Sequence, residues 1–231
     1  MNLSQLRKNE KALILSVLRK IKTHEKKTKI LAGIDFKTLR TLTTKEEWKL
    51  VSAIIHIDPR QYGFKGPYYG ITQVPKNLAV IRNQQYHKGR NMKKIPPQLI
   101  PKSAYAAYQI LLRAMKEDIS KTVLIESAYR SPAYQLIVFL YYLRYYRWDA
   151  RKTCSRVALS GYSEHGFPPR QALDFITANG IPSDTNLSAF AKTEEYLWLC
   201  KHANRFHFYL SYPKQNKWGM MFEPWHWSFR K

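Results

Sequence analysis

The sequence predicts an α+β fold: a small antiparallel sheet flanked by helices, with a helical and loop-rich N-terminal extension. Two observations carry this. Apolar residues recur at helical spacing through the first two thirds of the chain, whereas short β-type segments follow one another towards the C-terminus, which favours antiparallel pairing. The 231 residues are 45% hydrophobic, enough for one domain with an extension. We place the extension at residues 1–100 and the main domain at residues 101–231.

Charge is the strongest compositional fact. Lys and Arg number 39 against 16 Asp and Glu, a net charge of +23. Such an excess implies a polyanionic neighbourhood: nucleic acid, anionic lipid or an acidic cell-wall polymer. No apolar run is long enough to span a membrane. The run Lys11 to Leu18 lacks a small-residue cleavage site and continues into Arg19-Lys20, so no signal peptide is predicted. Cys154 and Cys200 form no metal or disulfide pattern. They pair in an exported protein or stay as free thiols.

Taken in order, residues 1–30 carry nine Lys/Arg against Glu10 and Glu25. Leu6, Leu13, Ile14, Val17, Leu18 and Ile21 recur at helical spacing, predicting a basic amphipathic helix whose apolar face docks on the domain or binds a membrane surface or partner. Thr43 or Thr44 before Glu46 and Glu47 starts a second helix, faced by Trp48, Val51, Ile54 and Ile55. From Asp58 to Pro101, glycines and prolines punctuate a loop-rich connection with Leu78–Ile81 as the one plausible strand. His56 and His87 read there as surface or capping residues.

Pro101 to Ile119 is an amphipathic helix with Ala104, Tyr108, Leu111 and Met115 on one face. Thr122 to Ile125 reads as a buried strand. Ser131-Pro132 then gives an N-cap followed by proline in the first turn of a helix to about Tyr146. Arg130 therefore sits at a strand-to-helix junction, where a side chain can be held rigidly towards a site. Gln171 to Thr177 alternates like a strand with Asp174 in mid-run. A helix begins at Thr193-Glu-Glu, and Arg205 to Tyr212 reads as another strand. The chain closes on Gly219-Met-Met-Phe-Glu-Pro-Trp-His-Trp-Ser-Phe-Arg-Lys231.

That last stretch wraps one acid and one imidazole, Glu223 and His226, in aromatic residues. Read alone, it is a general base beside a metal ligand, or a final edge strand with one satisfied histidine. Asp174 and His165 weigh on the choice. A carboxylate inside an apolar strand is costly unless it is paired or binds a metal. His165, Asp174 and His226 are three ligand-type side chains in segments with reasons to be buried. Two histidines and one aspartate leave a fourth position for water, the pattern of a catalytic zinc site. Glu223 could take the proton of that water. Pro224 biases Glu223 towards extended backbone, so a strand and turn must present the pair, not a helix.

Three ordered pieces resemble the zinc D-alanyl-D-alanine carboxypeptidases of the VanY type, in the wider group that shares the hedgehog-like metallopeptidase fold. They are Ser127-Ala-Tyr-Arg-Ser131 with Gln135, Ser163-Glu-His165 through Ala172-Leu-Asp174, and Glu223-Pro-Trp-His226; Leu210-Ser-Tyr-Pro213 also fits. The resemblance covers about residues 101–229. It implies one Zn²⁺ per chain on His165, Asp174 and His226, with Glu223 as catalytic base and Arg130 stabilising the oxyanion. It also implies that Ser163 and Gln135 help hold substrate, that Tyr212 and Trp225 shape the cleft, and that Ser127 and Ser131 assist. The implied substrate is the peptidoglycan stem peptide, cut before its terminal D-alanine, which sets the expected location at the periplasm or cell envelope; without a signal peptide, a cytoplasmic site stays open.

The sequence departs from the family pattern in one place. Eight residues separate His165 from Asp174, two more than usual, with Gly166 directly after the histidine and Pro168-Pro169 in the middle. Two extra residues can loop out with both ligands kept in place, or can reshape the rim of the site. Competing readings are an L,D-carboxypeptidase or a peptidoglycan endopeptidase of the same fold, a degenerate peptidase kept for cell-wall binding, and a non-catalytic basic protein that binds nucleic acid or cell wall. Nucleic acid is disfavoured, because it leaves His165, Asp174, Glu223 and His226 without a role. The basic N-terminal region is instead expected at an anionic envelope polymer or membrane surface.

Overall fold

A computed structural model describes residues 1–28, 30–181 and 187–230. In chain order the elements are α1 (Lys8–Thr28), α2 (Phe36–Thr41), α3 (Lys45–Ile55), β1 (Leu78–Ile81), β2 (Gln85–Lys88), β3 (Asn91–Lys94), β4 (Gln98–Pro101) and α4 (Lys102–Ile119). There follow β5 (Val123–Ser127), α5 (Pro132–Tyr145), α6 (Ala150–Cys154), β6 (Arg170–Thr177), α7 (Leu187–Phe190), α8 (Glu194–His202), β7 (Phe208–Leu210) and β8 (His226–Arg230). Helices and small antiparallel sheets make this an α+β fold, as the sequence predicts. The chain forms two compact units, one of Met1–Val74, Arg130–Gly166 and Lys217–Met221, the other of Pro75–Tyr129, Phe167–Asn216 and Phe222–Lys231.

The first unit is helical. α1 buries Ile14, Val17 and Ile21 and packs on α3 and α5, so its apolar stripe is used inside the unit. At the start of α3, Thr44 and Glu47 complete a capping box, satisfying two backbone donors that the first turn leaves unpaired. Glu47 is buried and also receives Lys20 Nζ of α1 at 2.7 Å. Burial is the largest influence on its carboxyl and pushes the pKa up, but Lys20, the Thr44 N–H and Ser16 together outweigh it and hold it below the usual range. Ser131 caps α5 through the Tyr134 N–H at 3.0 Å, and Pro132 fills the first helical position.

The second unit holds the main sheet, ordered β5-β6-β8-β7 with every pairing antiparallel. β6 is paired on both sides, and all of Gln171–Thr177 is buried, which explains its apolar residues at consecutive positions. α4 packs on this sheet: Tyr108 stacks on Phe175 with centroids 6.0 Å apart and donates to Val123 O at 2.8 Å. β5 is an edge, and the Gln84 amide covers it by bonding both the N–H and C=O of Ile125 at 2.9 Å.

The stretch from 58 to 101 corrects the expectation of a single strand. β1 pairs with β4, and β2 pairs with β3 in a hairpin. Gly89 turns that hairpin at φ +61°, the first central position where glycine is favoured. Its strands are polar and almost wholly exposed, so no alternation marks them. The expected strand over 205–212 is also shorter, Phe208–Leu210, because residues 203–206 form a 3₁₀ turn. His56 caps α3 and His87 is exposed, as expected. Both cysteines are free, Cys154 buried and Cys200 exposed.

Candidate metal centre

Strand register builds half of the centre. β6 and β8 place Asp174 opposite His226, and the His226 Nδ1 lies 3.0 Å from Asp174 Oδ1. Tetrahedral zinc with bonds of about 2.0–2.1 Å holds its ligand atoms roughly 3.3 Å apart, so this pair is spaced as two ligands of one ion would be. On the other side of β6, the pairing with β5 shifts between Ile125 and Ser127, leaving Glu126 as a bulge and setting Ser127 opposite Asp174. A bulge here re-aims the strand end next to the centre.

Glu223 reaches the centre through a turn. Pro224 and Trp225 are its middle residues, closed by the His226 N–H donating to Glu223 O at 3.1 Å. The Glu223 N–H donates to Tyr212 O at 3.0 Å, and the Trp227 indole donates to Pro224 O at 2.9 Å. With its backbone so fixed, Glu223 brings Oε2 to 3.7 Å from His226 Nδ1. The Tyr212 ring lies against the imidazole, centroids 4.7 Å apart. Trp225 anchors the turn by accepting the Phe175 N–H at its carbonyl, 3.0 Å. Asp174, Glu223 and His226 are 7%, 7% and 4% exposed, so their polar atoms are committed to the interior.

The remaining predicted residues lie in the helical unit. His165 sits in a short 3₁₀ turn, Glu164–Gly166, and is buried. Its N–H donates to Ser163 Oγ at 3.3 Å, and its carbonyl accepts the Arg130 N–H at 3.0 Å. Gly166 lets the two segments of chain approach closely, because a Cβ would stand 3.1 Å from Arg130 O. The Arg130 guanidinium bonds Gln135 Oε1 at 3.5 Å, and Gln135 Nε2 donates to Ala158 O at 2.7 Å. Gln135 is thus braced within the protein while it touches Arg130.

The segment between His165 and Asp174 contains a turn of its own. Pro168 and Pro169 are its middle residues, closed by the Arg170 N–H to Phe167 O at 2.8 Å, and β6 begins at Arg170 in register with β8. Sequence reasoning missed the residues that hold the His165 turn from outside: Thr72 Oγ1 donates to Gly166 O at 2.9 Å, and the Tyr69 hydroxyl donates to Glu164 at 3.4 Å. A loop with no motif carried no signal for either.

As a set, His165, Asp174 and His226 make a group able to hold a metal ion, each residue offering one ligand atom and each buried. Two imidazoles and one carboxylate, desolvated and with a second carboxylate beside them, suit zinc by donor type.

A family model described as VanY, D-alanyl-D-alanine carboxypeptidase, matches residues 97–231, more than half of the chain. No curated protein is significantly similar in sequence. Among solved structures, the LdcB LD-carboxypeptidase is 24% identical with a TM-score of 0.52, covering 67% of this chain and 68% of its own. The vancomycin-resistance D,D-dipeptidase VanXYg is 19% identical with a TM-score of 0.50, covering 77% and 64%. The zinc complex of the D,D-pentapeptidase VanY from a VanB-type cassette is 24% identical with a TM-score of 0.47, covering 64% and 79%. At these identities the first two likenesses speak for the fold, and the family match speaks for the lineage: the chain belongs to the VanY D-alanyl-D-alanine carboxypeptidase family, a family of hydrolytic enzymes.

Proposed function

We propose that the protein is a zinc-dependent D,D-carboxypeptidase that hydrolyses the terminal D-Ala-D-Ala bond of peptidoglycan stem peptides, with one zinc per chain on His165, Asp174 and His226. The observation that supports this most is the buried pair Asp174 and His226, donor atoms 3.0 Å apart, with Glu223 Oε2 3.7 Å from the same imidazole nitrogen. When bound, zinc supplies a water acidified to a pKa of roughly 7, a nucleophile available near neutrality. Glu223 receives the nucleophile's proton at its carboxylate and returns it to the departing amino group. Arg130 stabilises the negative charge that develops on the scissile carbonyl oxygen, and Gln135 acts by holding Arg130. Ser163 and Ser127 contribute hydroxyls to substrate, and Tyr212 and Trp225 wall the cleft.

This substrate puts the site of action at the cell envelope. The basic N-terminal region would meet an anionic envelope polymer or membrane surface there through its lysine-bearing face, since the apolar face of α1 is buried.

The test is to incubate zinc-loaded protein with pentapeptide and tetrapeptide stems and weigh the products. Loss of one D-alanine from the pentapeptide alone is expected. Loss from the tetrapeptide would establish the L,D-carboxypeptidase reading, which the shared fold accommodates, and cleavage within cross-linked stems would establish an endopeptidase. Release from neither stem contradicts the carboxypeptidase reading.

A further inference from the structure

The helical unit contains a cavity of about 380 Å³, walled by residues 34–36, residues 71–74 and the start of α5, Ser131–Ala133. The first two stretches lie outside the family match over 97–231. The wall belongs to the same hydrogen-bonded frame as Arg130 and His165. The Ser131 N–H donates to Ala32 O at 2.8 Å, and the Ser131 hydroxyl bonds Ile34 O. Thr72 is tied to Gly166 O, and the Arg130 N–H to His165 O. Whatever enters the cavity lies one residue from Arg130 along the backbone.

The cavity's chemistry runs against that of the chain. In a protein of 39 Lys/Arg and 16 Asp/Glu, its lining holds one carboxylate, Asp35, and no lysine or arginine. Asp35 caps α2 through the Thr38 N–H at 2.7 Å, which holds its carboxyl below the usual range, with exposed Lys37 a lesser influence. Ile34, Ile71 and Pro132 supply apolar walls. An acid at the rim of an apolar slot of this size fits a methylene chain that ends in a cation.

We propose that this cavity is a substrate subsite for an amine-bearing side chain of the peptide, its methylene stem on Ile34, Ile71 and Pro132 and its ammonium at Asp35. The identity of the ligand as a peptide substrate rests on the carboxypeptidase reading. The test uses calorimetry on the full-length, zinc-loaded Glu223→Ala protein, so that nothing is turned over. Peptides ending in D-Ala-D-Ala carry a lysine moved one position at a time, each matched by a norleucine analogue. Asp35 is exposed, so one position should favour lysine by about threefold to fivefold. Asp35→Asn should remove that preference and leave the norleucine peptide unchanged, because asparagine caps a helix as well as aspartate. The subsite is overturned if norleucine binds as well as lysine at every position, if the preference survives Asp35→Asn, or if no peptide binds. If the preference holds while wild-type protein releases no D-alanine, the subsite stands and the carboxypeptidase reading falls.

Discussion

At Glu223 a proline decides the geometry. Pro224 cannot continue a helix and fixes its own φ near −65°, so the chain turns and returns His226 into β8 with its N–H on Glu223 O. Acid and imidazole three residues apart therefore face one place without a helix to align them. If Glu223 is the base, Glu223→Ala should keep zinc but lose about 10²–10⁴-fold in kcat; near-normal turnover of stem peptide by this variant would remove the assignment. Arg130 is braced by Gln135, and Arg130→Ala should lower kcat by about 10²–10³-fold if it serves the oxyanion. An effect on KM alone would make it a binding residue. In the sequence Glu223 stood out as a carboxylate among aromatic residues, and Arg130 by its place at a strand-to-helix junction. The bracing of the His165 turn and of Gln135 was not legible, since Thr72, Tyr69 and Ala158 act through single hydroxyls or backbone atoms that no motif encodes.

At the scale of elements, strongly patterned segments could be read and weakly patterned ones could not. α1, α3, α4 and α5 announce themselves by apolar period, α3 and α5 also by their caps, and β6 by strand-like alternation around one carboxylate. β2 and β3 present polar side chains on both faces, so the signal was a single glycine. Two contacts between elements can be tested. Glu47 joins the caps of α3 to Lys20 of α1, and Glu47→Gln should cost about 1–3 kcal/mol in denaturant unfolding; Lys20 contributes the smaller share because it is 38% exposed. The folded pKa of Glu47 is lowered, so its stabilisation is full above the unfolded value of about 4.3 and lost as pH falls through the folded value. The wild-type advantage over Glu47→Gln should shrink in acid and stay flat from pH 6 to 8. Gly219 has φ +71°, and a Cβ there would lie 2.2 Å from Gly63 O. Gly219→Ala should therefore destabilise by about 1–3 kcal/mol or more, read as a lowered Tm.

For the molecule as a whole, the net charge of +23 and the buried acids call for separate tests. A polyanion contact made by the lysines of α1 should weaken steeply with salt, while hydrolysis of a short peptide should change far less; equal salt dependence of the two would tie the charge to the reaction itself. Family membership was legible from three ordered pieces because each couples a buried polar residue to a turn that needs particular backbone. Between His165 and Asp174 the chain makes a turn at Pro168-Pro169 and enters β6 at Arg170, paired with Arg230 of β8. In the proposed enzyme His165, Asp174 and His226 together hold one zinc. Elemental analysis of purified protein with a His226→Ala control tests it most directly. One zinc per chain is expected in the wild type and less than about a tenth of that in the variant. Wild-type protein that takes up no zinc when it is supplied, or a variant that retains zinc in full, would contradict it.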